Sequence, residues 1–226
     1  MSLGRGPRVV LLGKQGAGKG TQAVRVAGHY SVAHVATGDI FRAAARDGTD
    51  LGAEAKRFID RGELVPDEIV IGVVREHLAL DDRSLVRSGF VFDGFPRTRV
   101  QAEELDAALD GEPLDAVVNL DVPTEVVMAR IAGRRVCNQC GANYHVDNPP
   151  KDPWWCDACG GHVLQRDDDT EDAVLRRLEL YEIQTLPVIQ YYRRTGLLVS
   201  VDGQGDSDDV FTAVVAAIDA VTAELR

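Results

Sequence analysis

Short apolar runs alternate along the chain with longer stretches in which apolar residues recur every three or four positions. The runs Arg8–Leu12, Val32–Val35, Phe90–Phe92, Ala116–Leu120 and Leu197–Val201 read as buried strands. The stretches Gly18–Gly28, Gly38–Asp47, Asp50–Gly62, Pro66–Leu80 and Arg99–Asp110 read as helices. Pro123 suits the first residue of a helix running to Gly133. Thr170–Gly196 carries Val174, Leu178, Tyr181, Val188 and Tyr192 along one face, with Pro187 as a kink. Phe211, Val214, Val215, Ile218, Val221 and Leu225 form the apolar stripe of a final helix. Strands joined by helical crossovers predict an α/β fold, a parallel sheet covered on both faces. Ligands in such sheets bind at the carboxyl ends of the strands.

One stretch breaks this rhythm. Arg134–Asp169 holds Pro149, Pro150, Pro153, several glycines and all four cysteines, and reads as an inserted small domain. Cys137 and Cys140 are separated by two residues, as are Cys156 and Cys159, with fifteen residues between the pairs. That spacing suits four thiolates around a tetrahedral zinc ion. A small insert buries little, so a metal can stand in for a core. His145 and His162 are expected to stay outside the filled shell, and Trp154 and Trp155 to pack against the knuckle. Disulfides or a nucleic-acid-binding knuckle are the competing readings. The first conflicts with a reducing cytoplasm, the compartment expected where no secretory leader is in view. The second conflicts with nearby Asp147, Asp152, Asp157 and Asp167–Asp169.

Charge narrows the picture further. With 25 Lys and Arg against 36 Asp and Glu, the 226 residues carry a net charge of −11. A whole-chain nucleic-acid binder would be basic. No apolar run approaches the ~18 residues of a membrane span. A phosphate ligand must therefore meet cations gathered locally.

Such a place exists at Gly13-Lys14-Gln15-Gly16-Ala17-Gly18-Lys19-Gly20-Thr21, which follows a strand and opens a helix. Glycines let successive backbone N–H groups turn around an anion, and the helix N-terminus adds its dipole. Lys19 supplies a mobile cation for the β- and γ-phosphates. The hydroxyl that commonly follows the lysine is displaced by one residue to Thr21, so magnesium is expected to be held mainly through water and the nucleotide.

Three motifs in order, Gly16–Gln22, Thr37–Arg42 and Asp93–Thr98 with Gln101 beyond, make the chain resemble the adenylate kinases, nucleoside monophosphate kinases with a long zinc-binding lid. The resemblance runs from about Arg8 to the end. It implies a three-layer P-loop fold with a five-stranded parallel sheet. The core would be residues 1–35, 66–133 and 170–226, with an AMP-binding helical flap at 36–65 and a zinc-knuckle lid at 134–169. It implies that Gly16, Ala17, Gly18, Lys19, Gly20, Thr21, Arg130, Arg134 and Gln204 bind ATP. Thr37, Arg42, Gly94, Arg97, Gln101, Arg166 and Arg177 would bind AMP. Catalysis would fall to Lys19, Asp93, Arg97, Arg134, Arg166 and Arg177, with Asp93 holding magnesium through water. Cys137, Cys140, Cys156 and Cys159 would hold structural zinc. The phosphate loop departs from the family at Lys14-Gln15, where a proline is more usual.

The expected chemistry is in-line phosphoryl transfer, ATP and AMP giving two ADP, in a lid-closed site that excludes water. Partners would be ATP, AMP and ADP, with no nucleic acid and no membrane, and the protein a cytoplasmic monomer. Two rivals remain at this point. One is a kinase acting on UMP, CMP or GMP, or using GTP. The other is a zinc-knuckle P-loop protein that uses ATP as a switch for a macromolecular partner.

Overall fold

The computed structural model describes residues 5–79, 87–109, 111–166 and 169–224. Leu80, Asp110, Asp167, Asp168 and Leu225, which figure in the expectations above, lie outside them. Five parallel strands form the main sheet: β1 (Arg8–Gly13), β2 (Ala33–Ala36), β3 (Phe90–Asp93), β4 (Ala116–Asp121) and, last in the chain, β8 (Leu198–Asp202). Their spatial order is β2-β3-β1-β4-β8, so the first strand in sequence is the central one. Every residue of β1 is buried, which explains its uninterrupted apolar run.

Alternate residues of a strand face opposite sides of a sheet. Val10 and Leu12 accordingly join a core with Phe90, Phe92 and Val117. Over that face pack α4 (Asp67–Ala79), α5 (Arg99–Leu109) and α8 (Leu186–Arg194), through Val73, Val74, Leu105, Val188 and Tyr192. Val9 and Leu11 join the opposite core with Val91, Val118 and Leu120. There α1 (Lys19–Tyr30), α6 (Thr124–Gly133) and α9 (Ser207–Glu224) contribute Ala23, Val26, Val127, Ile131, Val214 and Ile218. The result is the three-layer arrangement predicted.

Two short helices, α2 (Thr37–Arg46) and α3 (Asp50–Ile59), follow β2 and pack closely on each other. A Cβ on Gly52 would lie 2.1 Å from the Ala44 carbonyl carbon, so only glycine allows the approach. The insert contains a separate antiparallel sheet in the order β6-β5-β7: β5 (Arg134–Cys137), β6 (Asn143–His145) and β7 (Val163–Leu164). The long helix expected over Thr170–Gly196 is divided into α7 (Glu171–Leu180), a π-turn over Tyr181–Thr185, and α8. Pro187 lies in the first turn of α8. The ring of a helical proline clashes with the carbonyl four residues back, and the wider turn relieves this just upstream.

Among the described residues, no helix is long and apolar enough to cross a membrane.

Candidate active site

The phosphate loop joins the end of β1 to the start of α1 and rests on α6. At Gly16, φ is +79°, and a Cβ would lie 2.8 Å from Ile131 Cγ1 and 2.9 Å from the Val127 carbonyl oxygen. Both the backbone conformation and the space demand glycine. Gly18 is the N-cap of α1. Ala17 is buried and Thr21 exposed. Lys19 folds back over the loop, its Nζ donating to the carbonyls of Gly13 at 2.7 Å and Lys14 at 2.8 Å. Burial pushes its pKa down to about 8, helped by the positive charges of Arg97 and Arg134 and opposed by Asp93. Lys19, Asp93, Arg97 and Arg134 therefore share one electrostatic neighbourhood. The Asp93 carboxylate stands over Gly20, where a Cβ would lie 3.2 Å from Oδ2. The absence of a side chain directly after Lys19 thus makes room for Asp93.

The two unusual loop residues are both anchored. Lys14 Nζ donates to the Val122 carbonyl at 3.2 Å, and Gln15 Nε2 donates to Asp169 Oδ1 at 3.2 Å.

A second group gathers where β3 ends. Gly94 accepts hydrogen bonds on its carbonyl from Arg97 Nε at 2.8 Å and from Thr37 Oγ1 at 3.2 Å. Gln101 is buried, with Oε1 accepting from the Arg97 backbone N–H and Nε2 donating to Asp67 Oδ1, each at 2.7 Å. Asp67 also accepts from Thr98 Oγ1 at 3.0 Å. These partners fix which end of the Gln101 amide is which, leaving one donor hydrogen and one acceptor lone pair. Arg42 pairs with Asp39, one turn earlier on α2.

The arginines of the insert converge on acids. Arg134 Nε donates to Asp169 Oδ2 at 2.8 Å, and Arg134 Nη2 meets Oδ1. Arg166 Nη2 lies 3.7 Å from Asp39 Oδ1, so the end of the insert reaches the α2 segment. Arg46, at the end of α2, reaches back: its Nη1 donates to the Asn138 carbonyl at 3.1 Å. Arg177 Nη2 donates to the Ile59 carbonyl at 2.9 Å, tying α7 to the end of α3. Arg130 lines a cavity of about 380 Å³ with Glu125, Val126, Ala129, His145 and Asp147. Gln204 lines a different one, of about 360 Å³, with Lys14, Asp121 and Asp202. The structure thus brings together Lys19, Asp93, Arg97 and Arg134, and Thr37 with Gly94, Arg97 and Gln101. It does not bring Arg130 and Gln204 into one cavity.

Sequence reasoning missed four contributors. Asp39 lies within the Thr37–Arg42 motif and Asp67 opens α4, and neither has a role in the sequence reading. Asp169 was seen only as a local acid, and His145 only as a non-ligand. For Asp39 and Asp169 the signal is position, each three residues from an arginine, whereas Asp67 lies 34 residues from Gln101 and carries no local signal.

The four cysteine sulfurs lie within 4.8 Å of one another. Cys137 and Cys159 Sγ are 3.5 Å apart, as are those of Cys140 and Cys156, and all four cysteines are free. Zinc–sulfur bonds of ~2.3 Å in a tetrahedron need sulfurs about this close, so the set fits the ion. The Tyr144 hydroxyl donates to Cys156 Sγ at 3.4 Å and brings that thiol down to about 6, favouring the thiolate a metal requires. His145 and His162 are not in the cluster. The tryptophans do not pack as expected. Trp154 is 42% exposed and Trp155 45%, the latter against His162 with ring centroids 4.0 Å apart and the planes tilted by 50°. Tyr144 and Ala142 pack on the cysteines instead, because the knuckle is too small to bury an indole.

Comparison with known proteins agrees with this geometry. The adenylate kinase family model matches residues 11–197. The adenylate kinase of Carboxydothermus hydrogenoformans is 49% identical over 214 residues, spanning 93% of this chain and 99% of that protein. That of Bacillus subtilis is 50% identical over 209 residues, 91% of this chain and 95% of its own length. That of Methanosarcina barkeri is 49% identical over 213 residues, 93% and 97% respectively. The chain belongs to the adenylate kinase family.

Proposed function

We propose that this protein moves the terminal phosphoryl group of ATP to AMP, reversibly, forming two ADP. The observation that carries this reading is the phosphate loop itself, with Lys19 folded over its carbonyls, Asp93 over Gly20 and Arg134 tied to Gln15 through Asp169. Gly16–Thr21 would cradle the donor phosphates, with Lys19 and Arg134 on their charge. Arg130 would lie against the donor base, supported by its half-buried position in a cavity, and Gln204 would border that base through its backbone. Thr37, Arg42, Gly94, Arg97 and Gln101 would hold AMP. Gln101 keeps one free donor and one free acceptor for an adenine edge. Arg166 and Arg177 would span the two phosphate chains.

A phosphate oxygen of AMP attacks the γ-phosphorus as the bond to the β–γ bridging oxygen breaks, and the electron pair leaves with ADP. The attacking phosphate has a second pKa of ~6, so it is already ionised at neutral pH and needs no general base. Arginines and Lys19 neutralise the equatorial oxygens and hold the two chains in line. Magnesium supplies further charge neutralisation when bound with ATP, and Asp93 would hold it through water. The four cysteines would hold zinc as a structural crosslink, away from the reacting atoms. Residues 36–65 would act as the AMP flap and 134–169 as the lid, whose closure keeps water from competing with AMP. The reading makes the protein a cytoplasmic monomer whose partners are nucleotides, with neither nucleic acid nor membrane.

The test is to supply Mg·ATP with AMP, GMP, CMP or UMP in turn and separate the diphosphates by chromatography. ADP forming rapidly and only with AMP is the expected result. Slow ADP formation, equal with and without a monophosphate, would overturn it.

A further inference from the structure

The Asp169 side chain is wholly buried. A buried carboxylate is tolerated only when it is paired and hydrogen-bonded. Its partners come from separate parts of the chain. Arg134, at the start of the insert, donates through Nε at 2.8 Å and pairs through Nη2. Gln15, in the phosphate loop, donates through Nε2 at 3.2 Å. The backbone of Asp169 is tied to the end of the insert, its N–H donating to the Arg166 carbonyl at 3.1 Å and its carbonyl accepting from Gln165 Nε2 at 3.3 Å. One carboxylate therefore fastens the phosphate loop to both ends of the insert.

Gln15 is costly where it stands. Its Oε1 is buried without a hydrogen-bond partner. Rotating the amide would put that oxygen against the carboxylate, so the bond from Nε2 to Asp169 fixes the side chain as it is. An apolar side chain would avoid the desolvation of Oε1, and the amide's compensation is its charge-assisted bond. Arg134 lies close enough to Lys19 to oppose its protonation, so its guanidinium belongs to the donor-phosphate neighbourhood.

We infer that Gln15 is a positioning residue: through Asp169 it sets the Arg134 guanidinium over the phosphate loop and couples the loop to both insert hinges. It does not touch the reacting atoms. The inference rests on the proposed role of Arg134 at the donor phosphates.

Gln15→Leu keeps the bulk and removes the donor. Gln15→Glu keeps the shape but places a second carboxyl against Asp169. Two facing carboxyls are tolerated when they share a proton. The Gln15→Glu enzyme should therefore regain kcat relative to wild type as pH falls from roughly 8 to about 6. Gln15→Leu should lose kcat on the order of ten-fold, the value of one hydrogen bond to a charged group, with KM for AMP unchanged. Its share of ATP lost to water should rise, because a misplaced hinge seals the site less well. Combined with Asp169→Asn, Gln15→Leu should add no further loss. Circular dichroism and thermal melting check that each variant folds. Unchanged kcat and hydrolysis in Gln15→Leu, a flat pH ratio in Gln15→Glu, or losses that simply multiply with Asp169→Asn would each overturn the inference. Arg134→Ala separates the two levels. If it is inactive while both Gln15 variants behave as wild type, only the role of Gln15 falls. If it is fully active, the role assigned to Arg134 falls as well.

Discussion

Lys19 must be cationic to hold phosphate, yet its surroundings disfavour the cation. Burial and two nearby arginines bring its pKa from 10.5 to about 8. Below pH 8 the ammonium form prevails in the free protein. Above it the proton is lost unless a phosphate anion restores the balance. ATP affinity should therefore weaken as pH rises through about 8, and binding at about pH 9 should take up a proton, seen as a heat that varies with the buffer's ionisation enthalpy. The folded state binds fewer protons than the unfolded chain between about 8 and 10.5. The nucleotide-free protein should accordingly gain stability across that window. Lys19→Met should reduce kcat on the order of 10²–10³-fold in steady-state assays while melting within a few degrees of wild type. The loop lysine was legible in the sequence because glycine spacing and the strand–helix context identify it. Asp93, Arg97 and Arg134 were legible beside it through the family resemblance; the burial that brings the lysine down to about 8 was not, because it depends on the packed loop. Asp169 could be read as a local partner of the insert's arginines, but its bond from Gln15, 154 positions earlier, could not.

Strands were the most legible elements. The central strands β1, β3 and β4 are almost wholly buried and appear as apolar runs, the edge strands β2 and β8 are partly exposed, and each of the five differs from its expected span by only a residue at either end. The π-turn at Tyr181–Thr185 was not legible, since Pro187 announces a distortion but not its form. The tryptophans misled for a related reason: indole usually signals a core, and the insert has too little of one. That small core, Cys137, Cys156 and Val163 with Ala142 and Tyr144, makes a prediction. Chelation, or Cys156→Ser, should unfold the insert while leaving the parallel sheet intact. Hydrogen exchange should then show fast amides confined to about 134–166, with protection retained in β1, β3 and β4. Loss of protection throughout the molecule would contradict this.

At the scale of the molecule, the insert and the α2 segment already touch, through Arg166 with Asp39 and Arg46 with the Asn138 carbonyl. Asn138 lies between two of the cysteines, so α2 grips the turn of the knuckle itself. Exposed contacts of this kind contribute about 0.5–1.5 kcal/mol, enough to shift a two-state balance a few-fold. Arg46→Ala should thus lower the closed population of the nucleotide-free protein by roughly two- to ten-fold, read by energy transfer between dyes on α3 and the insert. Neither contact could be read from the sequence, because each joins residues far apart along the chain, 92 positions in the case of Arg46 and Asn138. Strand order has a further consequence, for biosynthesis. β1 is made first but sits at the centre, and its neighbours β3 and β4 are translated some 80 and 108 residues later. The nascent chain must hold a strand with the apolar run Val9–Leu12 unpaired over that interval. β8, which closes the sheet beside β4, arrives after the whole insert. A chain cut short at Gly196 would expose the edge of β4, and should be recovered as aggregate rather than as a smaller soluble protein.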